Sequence, residues 1–143
     1  MTINILYLCT GNSCRSQMAE GWTRQLNENR FNAESAGIEA HGKNPRAIAV
    51  MREAGVEISG QESTIVSDEM LQRTNVVVTV CGHADEQCPA IPAQVKKIHW
   101  PLTDPAKATG SEDEIMDEFR ATRDDVEMRV RSLLKHLAEG VEA

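Results

Sequence analysis

The stretch that most constrains how this chain can fold is the eight-residue segment CTGNSCRS at residues 9–16. It directly follows an apolar run at residues 3–8 and leads into QMAEGW at residues 17–22, which is predicted to be a helix. A buried strand, a tight loop and a helix N-terminus together form a binding site for anions, because the loop N–H groups point inward and the helix dipole adds partial positive charge. We call residues 9–16 the anion loop.

Two side chains give the anion loop a reactive character, at the spacing Cys-x5-Arg-Ser. Cys9 leaves the strand as a candidate nucleophile, and the planar guanidinium of Arg15 can fold back to grip an oxyanion. Backbone N–H groups and Arg15 near the thiol predict a lowered pKa for Cys9, and the Ser16 hydroxyl can stabilise the thiolate. The alternative is a buried structural cysteine beside an N-cap serine and a surface arginine. The strand before the loop and the helix after it favour the catalytic interpretation.

The loop is therefore predicted to bind a tetrahedral oxyanion. The residues expected to contact it are Thr10, Gly11, Asn12, Ser13, Cys14, Arg15 and Ser16.

Composition limits the partners of this site. The net charge of −7 makes a nucleic-acid or anionic-membrane surface improbable, so an anionic substrate needs a local positive pocket in a negative protein. No apolar segment approaches the roughly 20 residues of a membrane span, and the chain enters a strand at once without a signal peptide. We therefore expect one cytosolic domain over residues 1–143, with no nucleic-acid or membrane partner, and a monomer.

Strands and helices alternate along the chain, which predicts a three-layer α/β/α domain around a parallel four-stranded sheet. In such sheets ligands bind beyond the carboxyl ends of the strands, where Cys9 and Cys81 both lie. The predicted strands cover residues 2–8, 32–36, 75–80 and 95–100, and the predicted helices cover residues 15–28, 45–54, a short stretch from Ser67, and 112–139.

A second pair of cysteines, Cys81 and Cys88, follows the third predicted strand at the spacing Cys-x6-Cys. In a helix these residues would lie about 10 Å apart along the axis, whereas a disulfide needs Cα atoms within roughly 7 Å. They can pair only if the segment bends or unwinds, which Gly82 and Pro89 make easy.

Three interpretations of these cysteines stay open on residues alone. They are two buried small hydrophobic residues, or zinc ligands together with His83 or His99, or thiols of a redox relay that begins at Cys9. A relay requires successive thiolates that attack one another in line.

At this point the sequence resembles the thioredoxin-coupled arsenate reductases, which share the fold of the low-molecular-weight protein tyrosine phosphatases. The resemblance covers nearly the whole chain. The anion loop alone does not separate phosphatase from reductase, but the Cys81 and Cys88 pair does, because a phosphatase has no use for it. The motifs that carry the resemblance are CTGNSCRSQMAEGW (9–22), SAGIEAHGKNP (35–45), VVTVCGHADEQCP (77–89) and HWPLTDPA (99–106).

The resemblance implies a mechanism without a bound cofactor. Cys9 would attack arsenate held by the loop and Arg15, with Asp104 as the general acid for the leaving oxygen. Cys81 would then attack Cys9 and release arsenite, and Cys88 would resolve that disulfide. The resulting Cys81–Cys88 disulfide would be reduced by thioredoxin, with a glutaredoxin or glutathione system as the alternative reductant. On sequence alone, Asp104 competes with a simpler role as a turn residue before a proline.

The resemblance also bears on metal binding. Some members of the family bind potassium beside the loop through residues that correspond to Asn12, Glu20 and Ser35 and through an aspartate. This chain has Thr64 at the aspartate position, so no metal ion is predicted.

Two other functions remain alternatives. A phosphatase would use Cys9, Arg15 and Asp104 alone, but no tyrosines follow Asp104-Pro105 to line a pocket for an aromatic ester. Weak phosphatase activity is expected as a side reaction, since arsenate and phosphate share shape and charge. The other alternative is a non-catalytic redox sensor or anion-binding module.

Overall fold

A parallel sheet of four strands lies at the centre of the structure. The computed structural model describes residues 2–27, 30–82, 84 and 90–140. In chain order the elements are β1 (Ile3–Cys9), α1 (Arg15–Leu26), β2 (Phe31–Gly37), α2 (Pro45–Glu53), α3 (Asp68–Arg73), β3 (Val76–Thr79), β4 (Lys96–His99), a short 3₁₀ turn (Pro105–Lys107) and α4 (Glu112–Ala138).

The strand order β2-β1-β3-β4 creates a switch point beside β1. From β1 the chain passes to β2 on one side, and it later returns to β3 on the other side, with every pairing parallel. Right-handed crossovers in opposite directions put α1 and α3 on opposite faces of the sheet, and α4 packs against α1 and α2. The predicted parallel four-stranded sheet between helices is confirmed, and ligands of such sheets bind where the direction reverses.

The element boundaries agree with the sequence-based prediction to within two residues. Local chemistry explains this agreement, because Asn44 and Ser67 cap α2 and α3 by accepting hydrogen bonds from the N–H groups of Arg46 and Met70. Two features were not predicted. The turn at Pro105–Lys107 is one, and the other is a parallel bridge that joins the polar loop before α3 to Gly37.

The centre of the molecule lies between the sheet and α1. Tyr7 of β1 is fully buried, and its hydroxyl lies 2.7 Å from the Thr23 hydroxyl of α1. Burial raises the pKa of Tyr7 above its ordinary value. Met18 and Trp22 of α1 are buried, whereas Leu26 at the end of the helix is only partly buried. The start of α1 is therefore fixed on the sheet, directly after the anion loop.

Helix α4 covers this layer with the predicted apolar stripe. Phe119, Val126 and Val130 are buried, and the ends of the stripe are partly exposed. Ser111 and Glu114 form a reciprocal capping box at its N-terminus. Within the residues that the structure describes, no helix has the length and apolar character needed to span a membrane.

Gly37 at the end of β2 is predicted to tolerate no side chain. A Cβ there would lie 2.7 Å from the carbonyl oxygen of Thr10, 2.8 Å from the amide nitrogen of Asn12, and closer still to the carbonyl oxygen of Glu39. These are backbone atoms, so Gly37→Ala should lower the free energy of unfolding by about 3 kcal/mol. Urea denaturation measures this loss.

The matched control is Gly60→Ala, since a Cβ at Gly60 has no neighbour within 4 Å. We expect the control to unfold within about 0.5 kcal/mol of the unmodified protein. Equal stability of the two variants would contradict the close packing at Gly37.

Candidate active site

The anion loop joins β1 to α1 at the switch point. The carbonyl oxygens of its residues 9–14 all accept hydrogen bonds from groups outside the oxyanion site. Segment 38–44 supplies four of the donors, through Ile38 N to Cys9 O, Glu39 N to Thr10 O, His41 N to Gly11 O and Asn44 N to Ser13 O. Helix α1 supplies the other two, through Gln17 Nε2 to Asn12 O and Met18 N to Cys14 O. Because a trans peptide holds N–H opposite to C=O, a loop with outward carbonyls directs its N–H groups inward.

Asn12 sets the shape of the loop from behind. Its φ of 50° lies in the left-handed region, where asparagine is favoured among residues other than glycine. Its Oδ1 accepts from Thr64 N at 2.8 Å and from Gln17 Nε2 at 3.1 Å, and its Nδ2 donates to Ser16 Oγ at 2.9 Å. Asn12 and Ser16 thus hold the loop together, and their predicted contacts with substrate remain predictions.

Arg15 is buried and only partly satisfied. Its NH1 donates to the carbonyl of Leu102 at 3.1 Å, and its NH2 lies 3.6 Å from the Asp104 carboxylate. Its Nε is a buried nitrogen with no hydrogen-bond partner in the part of the chain that the structure describes. A buried unpaired donor costs free energy, so the guanidinium is held ready for an acceptor such as an oxyanion.

Asp104 caps a turn with one carboxylate oxygen and faces Arg15 with the other. Its Oδ1 accepts from Ala106 N at 3.0 Å and caps the turn Pro105–Lys107, while Oδ2 faces Arg15. The side chain is 25% exposed.

The anion loop and Asp104 enclose a cavity of about 200 Å³, and Asp104 lies where this cavity meets solvent. The cavity is lined by Cys9, Thr10, Gly11, Ser13, Cys14, Arg15, His41, Asp104 and Ala106.

Cys9 and Cys81 meet at the carboxyl ends of neighbouring strands, as predicted. The N–H of Val80, which precedes Cys81, donates to the carbonyl of Leu8, which precedes Cys9, at 2.9 Å. Thr10 Oγ1 lies 3.1 Å from Cys81 Sγ, and the N–H of Ala84 donates to the same sulfur at 3.3 Å. Cys81 therefore has several polar neighbours that can support a negative charge on its sulfur.

The protonation of this pair differs from the expectation for Cys9. The hydrogen bond with Cys81, and then burial, raise the pKa of Cys9 above its ordinary value. The hydrogen bond with Cys9 lowers the pKa of Cys81 to about 4. The pKa of Cys9 is therefore shifted in the direction opposite to the predicted one, because a second thiol far along the chain interacts with it. The two thiols titrate as a pair, so the proton belongs to both sulfurs.

Cys14 lies in the same cavity but differs in chemistry. Burial raises its pKa to about 11, so it is an unreactive thiol near neutral pH. The prediction for Cys88 falls on a residue outside the described ones, as does that for His83. Within the described residues, no cluster of three or more His, Cys, Asp or Glu side chains could hold a metal ion.

The residues that correspond to the potassium site do not fit an ion in this chain. Glu20 Oε2 is paired with the Arg24 guanidinium at 2.7 Å, and Glu20 Oε1 accepts from the Ser35 hydroxyl. Asn12 Oδ1 is occupied by donors that include the N–H of Thr64. The oxygens that would surround a cation already accept from protein donors, and Arg24 supplies the positive charge.

Sequence reasoning missed two contributors to the site. Gln17 joins the loop to the segment before α3, since its Nε2 also donates to Glu62 O at 2.9 Å, and Gln61 in turn donates to Gln17. His41 lies on the cavity wall. Both residues stand inside motifs singled out for resemblance, but neither has a spacing to other reactive residues that would signal its role.

Comparison with known proteins agrees with this geometry. The family model for low molecular weight phosphotyrosine protein phosphatase matches residues 4–143. An arsenate reductase of Halalkalibacterium halodurans is 48% identical over 128 residues, which are 90% of this chain and 92% of that protein. The solved structure described as an arsenate reductase in the phosphate binding state superposes with a TM-score of 0.78 at 31% identity, covering 94% of this chain and 98% of the other.

A thioredoxin-dependent arsenate reductase of Corynebacterium glutamicum also superposes with a TM-score of 0.78. The identity is 22%, and the match covers 97% of this chain and 63% of that chain. This likeness shows a shared fold.

Removing the Cys9 thiol should make Cys81 less reactive in acid. Cys9→Ala deletes the largest contribution that lowers the Cys81 pKa to about 4, so that pKa must rise. Below its pKa a thiol is protonated and unreactive, so the midpoint of Cys81 alkylation should move up by at least about one pH unit. Iodoacetamide labelling across pH with peptide mapping by mass spectrometry measures it.

Cys14 provides the internal control for this labelling. Its pKa of about 11 predicts no labelling in either protein over the same pH range. An unchanged Cys81 profile in Cys9→Ala would contradict the shared proton.

Proposed function

The chain belongs to the low molecular weight phosphotyrosine protein phosphatase family, and from this premise we propose that it is an arsenate reductase. It would convert arsenate to arsenite for arsenic detoxification, through a thiol–arsenate adduct on Cys9 and a disulfide relay through Cys81 and Cys88. Relatives with nearly half of their residues identical to this chain and with this name support the proposal.

The observation that carries the proposal is the placement of a second thiol at the site of Cys9 and Arg15: Cys81 follows the strand next to β1, and its Sγ lies 3.1 Å from the hydroxyl of Thr10, the residue after Cys9. A phosphatase needs one thiol and an arginine, whereas a reductase must draw two electrons from two thiols that can reach each other. The Thr10 hydroxyl at 3.1 Å and the Ala84 N–H at 3.3 Å from Cys81 Sγ can support a thiolate there after Cys9 has reacted, which supports its role as the nucleophile toward Cys9.

In the first step arsenate binds to the inward N–H groups of the loop and to Arg15, whose Nε has no partner among the described residues. Cys9 passes its proton to Cys81, and its sulfur forms a bond to arsenic. Asp104 protonates the leaving oxygen, the arsenic–oxygen bond breaks, and water departs. Asp104 lies on the cavity wall with Cys9, which supports this role.

In the second step Cys81 loses its proton to an arsenic-bound oxygen and attacks Cys9 Sγ. A sulfur–sulfur bond forms, the sulfur–arsenic bond breaks, and its electron pair stays on arsenic, which is reduced from As(V) to As(III) and leaves as arsenite. The Cys88 thiolate then attacks Cys81 Sγ, so Cys9 leaves as a thiolate and a Cys81–Cys88 disulfide remains.

A dithiol reductant must restore Cys81 and Cys88 after each turnover. We propose thioredoxin for this step, with glutaredoxin and glutathione as the competitors that the assay below distinguishes. A relay of free thiols also requires a reducing compartment, which favours the cytoplasm. We further propose that the protein acts as a monomer, since the catalytic groups in the described residues all come from one chain.

The second candidate function is a phosphatase, because Cys9, Arg15 and Asp104 are the groups such an enzyme needs. The nine cavity-lining residues include no phenylalanine, tyrosine or tryptophan that could stack on an aryl ester. This favours a small inorganic oxyanion, with ester hydrolysis as a weak side activity.

Replacing the resolving thiol should stop the enzyme after one turnover. We expect the unmodified protein to oxidise NADPH continuously with arsenate, thioredoxin and thioredoxin reductase. In Cys88→Ser the Cys9–Cys81 disulfide forms and cannot be passed on, so one equivalent of arsenite per enzyme should appear. The measurements are NADPH absorbance and arsenite quantification, repeated with glutaredoxin and glutathione.

Three results would overturn parts of this proposal. Multiple turnovers in Cys88→Ser would remove Cys88 from the relay. Turnover with glutaredoxin but not with thioredoxin would reassign the reductant. Steady aryl phosphate hydrolysis without arsenate reduction would replace the reductase with the phosphatase.

Loss of the Asp104 proton donor should slow the chemical step. Asp104→Asn keeps the size of the side chain and an oxygen that can accept from Ala106 N, but it removes the acid. We expect single-turnover arsenite formation to slow by about 10²-fold to 10³-fold, in the range for a lost general acid. Rapid quench measures the rate, and a rate within about twofold of the unmodified protein would exclude Asp104 as the acid.

A further inference from the structure

His41 lies on the wall of the oxyanion cavity and has no role in the proposed reaction. The cavity contains five ionisable side chains, which are Cys9, Cys14, Arg15, His41 and Asp104. Three of these have assigned steps, and the pKa of Cys14 excludes it as a nucleophile near neutral pH. His41 is the ionisable group on this wall that remains to be explained.

The backbone fixes His41 against the anion loop. Its N–H donates to Gly11 O at 2.9 Å, and two residues earlier the N–H of Glu39 donates to Thr10 O at 2.8 Å. Segment 38–44 therefore runs alongside the loop in a fixed register. The same hydrogen bonds that turn the loop N–H groups inward place the His41 backbone beside Gly11, while the His41 side chain is 55% exposed.

The two ring nitrogens of His41 have different surroundings. A Cβ built on Gly11 would collide with His41 Nδ1 and would lie 2.9 Å from His41 Cγ, so the Nδ1 edge rests on the loop. Nε2 lies 3.2 Å from Glu39 Oε2. An imidazolium has a proton on each nitrogen, so it can donate to Glu39 from Nε2 and to a second acceptor from Nδ1.

The charges around the cavity explain why a donor at His41 Nδ1 would favour anion binding. Arg15 carries one positive charge, but Asp104 lies 3.6 Å from it. An oxyanion entering this site therefore meets an arginine that already faces a carboxyl group, in a protein whose net charge is −7. A further N–H donor at the wall would strengthen the binding of the anion.

We propose that His41 is an anion-recognition residue that donates from Nδ1 to an oxygen of the bound oxyanion while Glu39 holds Nε2. The inference rests on the proposed function, because the oxyanion in question is the arsenate that Cys9 attacks. Gly11 is required in the loop for the same reason, since any side chain there would displace the ring.

The test compares three replacements of His41 by two measurements. One is the dissociation constant of inorganic phosphate for the reduced protein, obtained by isothermal titration calorimetry, and the other is arsenate turnover. In His41→Ala we expect phosphate binding about tenfold weaker, an equal rise in KM for arsenate, and kcat within about twofold, because a hydrogen bond to a charged group is lost. His41→Gln should recover part of the affinity through its N–H donor, and His41→Phe should bind as weakly as His41→Ala.

The matched control is His136→Ala on α4, which removes a histidine that lines a different cavity. It should leave both measurements unchanged. Full phosphate affinity in His41→Phe would show that the side chain at position 41 acts only through its size, and it would overturn the proposal. A loss of kcat at constant KM in His41→Ala would overturn it as well. The phosphate arm decides the role of His41 even if the unmodified protein shows no arsenate turnover, which would refute the proposed function separately.

Discussion

The whole site depends on one constraint, the outward direction of six consecutive carbonyl groups in the anion loop. A planar trans peptide that turns its carbonyl outward turns its N–H inward. The hydrogen bonds from segment 38–44 and from α1 hold the carbonyls outward, and so they direct the N–H groups at the substrate. Each bond contributes only about 1 kcal/mol of net stability. Their importance is geometric, because together they fix the loop before any anion arrives. Gly37 makes this possible, since the backbones of three segments meet at its Cα.

Arg15 shows what it costs to prepare such a site in a negatively charged protein. Its guanidinium is held by the Leu102 carbonyl and faces Asp104, while Nε stays buried and unpaired. An unpaired buried donor is worth about 1–3 kcal/mol of destabilisation, which a bound oxyanion removes. Part of the folding free energy is thereby converted into affinity for the substrate. A flexible arginine on the surface would instead lose side-chain entropy on binding.

The sequence predicted the parts of this protein that local rules govern. The strand–loop–helix unit, the caps at Asn44 and Ser67, and the stripe on α4 each follow from neighbouring residues, and the order of strands and helices was enough to bring Cys9 and Cys81 to one edge. The direction of the Cys9 pKa shift could not be predicted from neighbouring residues, because the largest cause of that shift is the thiol of Cys81, which follows another strand. The role of segment 38–44 in holding the anion loop was not predicted for a related reason. The segment is neither helix nor strand, and its partners are backbone groups of another loop.

The shared proton also explains why two nucleophiles in one cavity would act in a fixed order. While Cys9 attacks arsenate as a thiolate, the proton resides on Cys81, which cannot compete for the substrate. Once Cys9 is bonded to arsenic it no longer exchanges that proton, and the charge on Cys81 is supported by Thr10, the N–H of Ala84 and the field of Arg15. Cys81 then becomes the nucleophile at the moment when Cys9 has become the electrophile. In the proposed reaction a single proton between two sulfurs therefore sets the sequence of the relay, without any movement of the strands that carry them.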